Sequence, residues 1–421
     1  MDVRRRFFLE SCGVALVSFA VAPSFLKRAV LAQTRAGAGK DRPVLIAIFQ
    51  RGAADGLSMV IPFGDAYYYG VRPQVAIPEP KRGDPETAID LDGFFALHPA
   101  LAALKPIYDA GHLAIVHAVG SPNSTRSHFD AQDYMETATP WEKNTADGWL
   151  NRYMQATHTL QPSPFRAVAF GPVLPRTLAG PAPAVAMTDI ADFDVRGGGD
   201  DGQLIQGFEA LYTQRIADSL QSTGRETFEA VKRLKSANPQ QYQPGNGANY
   251  PRTPFGKALL QTAQLIKADV GLEVGFIDIG GWDTHANQGS AQGQLANRLR
   301  ELSEGMAALH RDLGDQMQKV VVLTMTEFGR MLKQNGAAGT DHGHASCLCV
   351  LGGPVKGGKV YGSWPGLAPE QLYEGRDLAL TTDFRDVFAE VAARHLGASN
   401  LGMIFPGFQP NPAHFRGFLR S

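Results

Sequence analysis

Three cysteines in 421 residues rule out a fold held together by a disulfide framework. Cys12 lies near the amino terminus, and Cys347 and Cys349 are one residue apart. At that spacing an extended strand turns both thiols the same way, and a bridge between them is strained. Charge of one sign is equally scarce, with 40 Lys and Arg against 41 Asp and Glu, so the chain has no electrostatic footprint for nucleic acid. Past residue 32 no apolar run approaches the ~20 residues that a bilayer demands, and no permanent membrane span is expected.

The first 32 residues have their own pattern. Arg4, Arg5 and Arg6 precede Phe7-Phe8-Leu9, an apolar stretch runs over 13–22, and Lys27-Arg28 stands just before Val30-Leu31-Ala32. Basic region, short apolar region and small-residue cleavage site make a signal peptide. The arginine pair selects the twin-arginine route, which implies the twin-arginine translocation machinery as a partner and a periplasmic or secreted destination for a protein exported already folded. Cys12 precedes the apolar stretch, so it is not a lipid-attachment site. The leader carries five basic and two acidic residues, so its removal shifts the formal charge from −1 to −4.

Residues 33–421 read as one large α/β domain. Val44 to Phe49 is a continuous apolar run bounded by Gly52, a strand buried on both faces. A helical pattern from His98-Pro99 through Leu101, Leu104 and Ile107 leads to a second buried strand at 113–119, the βαβ signature of a parallel sheet. Helical stretches at 253–269 and 292–313 alternate with strands at 273–279 and 320–325. A short strand at 347–351 follows, and a helix at 383–395 closes the chain with Thr382 as its N-cap, and Asp383 and Arg385 near its start read as a cap and an ion pair. These elements predict a doubly wound, mostly parallel sheet with helices on both faces. Residues 140–250 look different: Pro and Gly punctuate short strands at 165–170 and 184–187, turns fall at 196–202 and 244–247, and a polar helix spans 206–235. This stretch is expected to be a cap or insertion.

In an open parallel sheet, ligands bind beyond the carboxyl ends of the strands. Polar residues follow strand after strand in this chain: Asp55; the run Ser121 to Asp133 with Ser124, Thr125, Arg126, Ser127 and His128; Asp283 and His285; Glu327; and Asp341, His342 and His344. Carboxylate and imidazole at such short spacings suit a divalent metal, zinc, manganese, calcium or iron. Asp341 fits either as a ligand or as a group orienting an imidazole. Ser127 or Thr125 beside a metal could serve as nucleophile, and Arg126 could grip an anionic substrate. Blander roles exist for several: Ser124 or Ser127 as a helix cap, Asp55-Gly56 as a turn, Glu327 and Arg330 as an ion pair, Trp282 as a loop wedge. His98, His112, His117, His158, His310, His395 and His414 lack clustered partners in the sequence and read as structural or exposed.

The motifs Arg51-Gly-Ala-Ala-Asp-Gly-Leu, Arg126-Ser-His-Phe-Asp-Ala-Gln-Asp, Gly281-Trp-Asp-Thr-His, Thr326-Glu-Phe-Gly-Arg and Thr340-Asp-His-Gly-His resemble, in order and along nearly the whole chain, the bacterial twin-arginine-exported domain-of-unknown-function family 1501. That family is grouped with the alkaline phosphatase and sulfatase superfamily. The resemblance implies an alkaline-phosphatase-like core, two metals, Asp55 as the first-strand metal acid, Ser127 or Thr125 at the nucleophile position, Asp283 with His285 at one metal, and His342 or His344 as the late histidine. Glu327 is followed by Phe328 where the superfamily has histidine, and neither Cys-x-Pro-x-Arg nor Asp-Ser-Ala occurs. The expected function is hydrolysis of a small anionic phosphate or sulfate ester. The alternatives are a non-catalytic metal- or polyanion-binding envelope protein on a degenerate scaffold, or an envelope assembly factor using residues 140–250.

Replacing Arg5 and Arg6 with Lys should retain the precursor in the cytoplasm. Fractionation and immunoblotting will show it; normal processing of this variant in cells lacking the twin-arginine route would refute the export reading.

Overall fold

The first apolar run forms strand β1, Val44–Gln50, with every residue buried. Its side chains alternate between two cores. Val44, Ile46 and Ile48 enter one cluster, and Leu45, Ala47 and Phe49 enter the other, as a strand buried on both faces requires. The computed structural model describes residues 42–157, 163–190 and 241–420. The leader at 1–32, His158, the turn at 196–202 and the polar helix at 206–235 lie outside them.

Three short strands, β2 (Val60–Ile61), β3 (Ile89–Asp90) and β4 (Ala96–Leu97), make a small antiparallel sheet in the order β2-β4-β3. The main sheet contains β1 with β5 (Leu113–Gly120), β6 (Ala167–Phe170), β7 (Val185–Met187), β8 (Val274–Ile279), β9 (Val320–Met325), β10 (Ser346–Gly352), β11 (Lys359–Tyr361) and β12 (Thr382–Asp383). Its order is β11-β5-β10-β9-β1-β8-β6-β7, with β12 also pairing β5. β1 runs parallel to both its neighbours, and β6 runs parallel to β8 and β7. Only β10 runs against its neighbours.

Helices cover both faces. α1 is His128–Thr137, α2 is Trp149–Ala156, α3 is Pro254–Lys267, α4 is Gln294–Leu313 and α5 is Phe384–Glu390. α3 and α4 bury Leu259, Leu299, Leu302 and Met306 in one core, while α2 and α5 bury Trp149, Leu150, Phe384 and Phe388 in the other. α3 begins where the Thr253 side chain accepts from the Gly256 amide, with Pro254 at the first position. No helix among the described residues is long and apolar enough to cross a membrane. Cys347 and Cys349 are buried and unbridged.

Four expectations change. β1 and β5 belong to one parallel set, yet β9 and β10 lie between them, so the first strand–helix–strand unit does not form a neighbouring pair. β6 and β7, read as part of a cap, extend the central sheet through β8. Asp383 rather than Thr382 caps α5, accepting from the Arg385 amide at 2.9 Å; Thr382 instead pairs with Val119. His112 and His310, read as having no partners, face each other with Nδ1 and Nε2 3.2 Å apart.

Direction decides where loops fall. β9 ends at the carboxyl edge shared by the parallel strands, and reversed β10 starts at that same edge. Residues 326–345 therefore stay on one side of the sheet, beside the residues that follow β1, β5 and β8.

Buried His117 accepts from the Ala118 amide through Nδ1 and meets the Val60 carbonyl through Nε2 at 3.0 Å. Burial pushes its imidazole down to about 4, against the opposing pull of the Val60 carbonyl and Asp55. The unfolded chain takes up this proton near 6.5. Stability from the neutral ring is thus full above that pH and is lost as pH falls from about 6.5 to about 4. His98 and His395, also held near 4, add the same dependence. Heteronuclear NMR should show the His117 ring neutral at pH 5.5; a charged ring there contradicts the assignment.

Candidate metal centre

Beyond the carboxyl edge, three imidazoles turn one nitrogen each toward the Asp283 carboxylate. His285 Nε2 lies 3.0 Å and His342 Nε2 3.3 Å from Asp283 Oδ1, and His128 Nε2 lies 3.6 Å from Oδ2. His285 and His342 bring their Nε2 atoms to 2.9 Å of each other. Ligand atoms of His128, Asp283 and His342 all fall within 4.8 Å of one another, a group able to hold a metal ion.

The outer nitrogens explain this orientation. His128 Nδ1 rests on Glu327 Oε1 at 2.8 Å, His285 Nδ1 on Asp341 Oδ1 at 3.1 Å, and His342 Nδ1 on the Arg126 carbonyl at 2.9 Å. Carboxylates and carbonyls only accept, so each Nδ1 carries a proton, and each ring in its neutral form presents the Nε2 lone pair inward. Lone pairs and a carboxylate so placed repel unless a proton or a metal ion lies among them. His128 Nε2 fits that demand: it is buried and has no hydrogen-bond partner.

The surrounding loops hold these side chains in place. His128 is the first residue of α1, and Gln132, one turn on, donates to Glu327 Oε1 at 2.9 Å. Fully buried Glu327 also accepts from the Gly52 amide at 2.8 Å. Gly52 has φ +118°, and a Cβ there would sit 2.7 Å from the Asp283 amide, so only glycine lets the β1 and β8 loops meet. Phe328 packs beneath His128 and His342, its ring centroid 5.1 and 5.0 Å from theirs.

Arg330 joins these loops. Buried, it donates from Nε to the Ala53 carbonyl (2.8 Å), from Nη1 to that of Thr340 (2.8 Å), and from Nη2 to those of Gly52 (2.7 Å) and Trp282 (3.1 Å) and to Asp283 Oδ1. Burial pushes the Asp283 carboxyl up, but the Arg330 hydrogen bond and charge, with His285 and His128, bring it below its ordinary value. The Glu327 hydrogen bond raises His128 despite burial, while burial lowers His342. A metal ion binding here therefore competes with the His128 proton.

Other expected site residues have different partners. Asp55 is fully buried in a two-pronged ion pair with Arg72, 2.6 and 3.1 Å, and also accepts from Ser58 and Gln288. It lies outside the cluster. His344 stacks on Tyr373 with centroids 4.2 Å apart, and burial pushes it down to about 4. Asp341 and Glu327 act from behind the imidazoles. Arg126 is engaged by Glu374 at 2.6 Å and buried Asp377 at 2.7 Å, and Arg330 pairs with Asp283 rather than Glu327. His128 is itself in the cluster. Thr125 Oγ1 accepts from the Ser127 amide at 3.2 Å. Ser127 occupies the N-cap position of α1 without a side-chain cap bond and is exposed. Trp282 wedges its loop, donating to the Ile279 carbonyl at 2.9 Å. Gln132, Arg72 and Gln288 were missed. Only Gln132, four residues after His128, carried a signal in its helical spacing.

A mixed α/β protein with a mostly parallel sheet and a candidate histidine-carboxylate metal centre at its carboxyl edge is the class defined by these features. The chain belongs to the family described as "Protein of unknown function (DUF1501)", which matches residues 42–403. No curated protein matches the chain.

Replacing Arg330 with Lys keeps a cation but leaves several carbonyls without donors, at roughly 1–3 kcal/mol each. Denaturant unfolding should show a loss of about 3 kcal/mol or more; a loss below about 1 kcal/mol would contradict this role.

Proposed function

We propose that the protein is an exported, metal-dependent hydrolase of phosphate or sulfate esters on a core like that of the alkaline phosphatases and sulfatases. The observation that carries this reading is the set of three Nε2 atoms turned toward Asp283 while each Nδ1 rests on an acceptor. His128, His285, His342 and Asp283 would hold the ion. Three imidazoles and one carboxylate suit zinc, manganese or iron better than calcium, which prefers oxygen donors.

Asp283 and His285 are both partly exposed, so the centre is open to a ligand from solvent, as catalytic sites are and closed structural sites are not. A divalent ion there supplies Lewis acidity toward an ester oxygen and lowers the pKa of a bound nucleophile. The amino end of α1 begins at His128, and its dipole favours an anionic group nearby. Ser127 is the better nucleophile candidate of the two hydroxyls, because its Oγ makes no cap bond whereas Thr125 Oγ1 is engaged. Glu327 and Asp341 fix two rings, and Arg330 orients Asp283.

A second reading is a non-catalytic metal-binding protein. One observation favours it: Arg126, the expected anion grip, is already engaged by Glu374 and Asp377.

Elemental analysis of protein purified from its own compartment should find zinc, manganese or iron, and His285→Ala should lower that content. Metal-loaded protein assayed on aryl phosphate, phosphodiester and sulfate esters should turn over at least one. Ser127→Ala should then lose nearly all turnover while retaining metal. Metal binding without turnover of any ester selects the second reading. Turnover that survives in Ser127→Ala and Thr125→Ala removes the hydroxyl nucleophile.

A further inference from the structure

Two of the ligand-bearing loops meet over a single buried side chain that the chemistry above does not use. Gln288 is fully buried. Its Nε2 donates to Asp55 Oδ2 at 2.8 Å, and its Oε1 accepts from the Thr284 hydroxyl at 2.8 Å and the Thr340 hydroxyl at 2.7 Å. The amide can face only this way, because Asp55, ionised by its pairing with Arg72, has no proton to give and must meet a donor. Thr284 stands between Asp283 and His285, and Thr340 comes two residues before His342. The backbones meet as well: the Thr340 amide donates to the Thr284 carbonyl at 3.1 Å, and the Gln288 amide donates to that of Ala338 at 2.9 Å.

From this geometry we infer that Gln288 is a positioning residue, clamping the Asp283–His285 loop to the Thr340–His342 loop through two threonine hydroxyls. This inference rests on the metal reading for its purpose, though not for its geometry. Asp55 and Arg72 are the base of the clamp. The ion pair orients the amide, the amide collects both hydroxyls, and the hydroxyls fix loops whose imidazole Nε2 atoms lie 2.9 Å apart. Preset in this way, the ligands need little rearrangement to take an ion. The acid expected to bind metal therefore acts here at one remove, holding the ligands in register.

Thr284→Val with Thr340→Val keeps the side-chain shape and removes both donors, whereas Thr284→Ser with Thr340→Ser keeps both hydroxyls. Hydrogen exchange of metal-free protein reads the clamp directly. Residues 283–288 and 337–342 should exchange several-fold faster in the valine variant and at the wild-type rate in the serine variant. Zinc titration against a competing chelator should then show a Kd raised roughly ten-fold by valine and restored by serine. Each single valine change leaves one hydroxyl on Gln288 and gives the same trend at smaller size if the double variant does not fold. Equal exchange in valine and wild-type proteins overturns the clamp, as does serine loosening the loops as much as valine. Faster exchange with unchanged zinc affinity overturns the positioning role. If wild-type protein binds neither zinc, manganese nor iron, the metal reading falls, and the exchange rates alone decide the clamp.

Discussion

The buried guanidinium of Arg330 is the interaction on which the rest of the site depends. A cation this deep is tolerated only where its donors are satisfied and a counter-charge is close. Arg330 meets the first condition with carbonyls from the loops after β1, after β8 and before β10, and the second with Asp283. Five donors in a planar fork can gather three loops at once, which a lysine ammonium cannot do. The carboxylate at the middle of the candidate centre is thus oriented by the same group that ties the loops together.

Around that point the site is layered by charge. Asp283, partly exposed, faces three imidazoles; behind two of them stand Glu327 and Asp341, the first buried and the second half-exposed. The two carboxylates thus hold the outer nitrogens of His128 and His285. Phe328 supplies an apolar floor against the His128 and His342 rings.

The convergence at one sheet edge was legible because strands end in recognisable apolar runs, and the edge rule then groups the polar residues just past each of them. Asp283, His285 and His342 were grouped that way. Asp55 was misplaced because its partner Arg72 lies in a separate loop, and no local pattern announces a buried ion pair. His342 and His344 could not be told apart by spacing. The structure separates them through an isolated bridge between His342 and Arg330 and the stacking of His344 on Tyr373. The direction of β10 was equally hidden, since a short apolar run reads the same whichever way it points. The strands at 167–187 were seen as strands but assigned to a cap, because turn-rich flanks resemble an insertion and carry no record of which sheet they join.

The placement of β1 at the centre of the sheet orders events in time as well as space. Its two hydrogen-bonded neighbours, β8 and β9, span residues 274–279 and 320–325, so both edges of the first strand stay unpaired until most of the chain has been synthesised. Such long-range pairing makes early chain closure entropically expensive and folding slow. A nascent chain stopped before residue 274 would carry a bare, strongly apolar strand with two open edges, a ready template for association with other chains. β1 therefore needs shelter until β8 and β9 emerge.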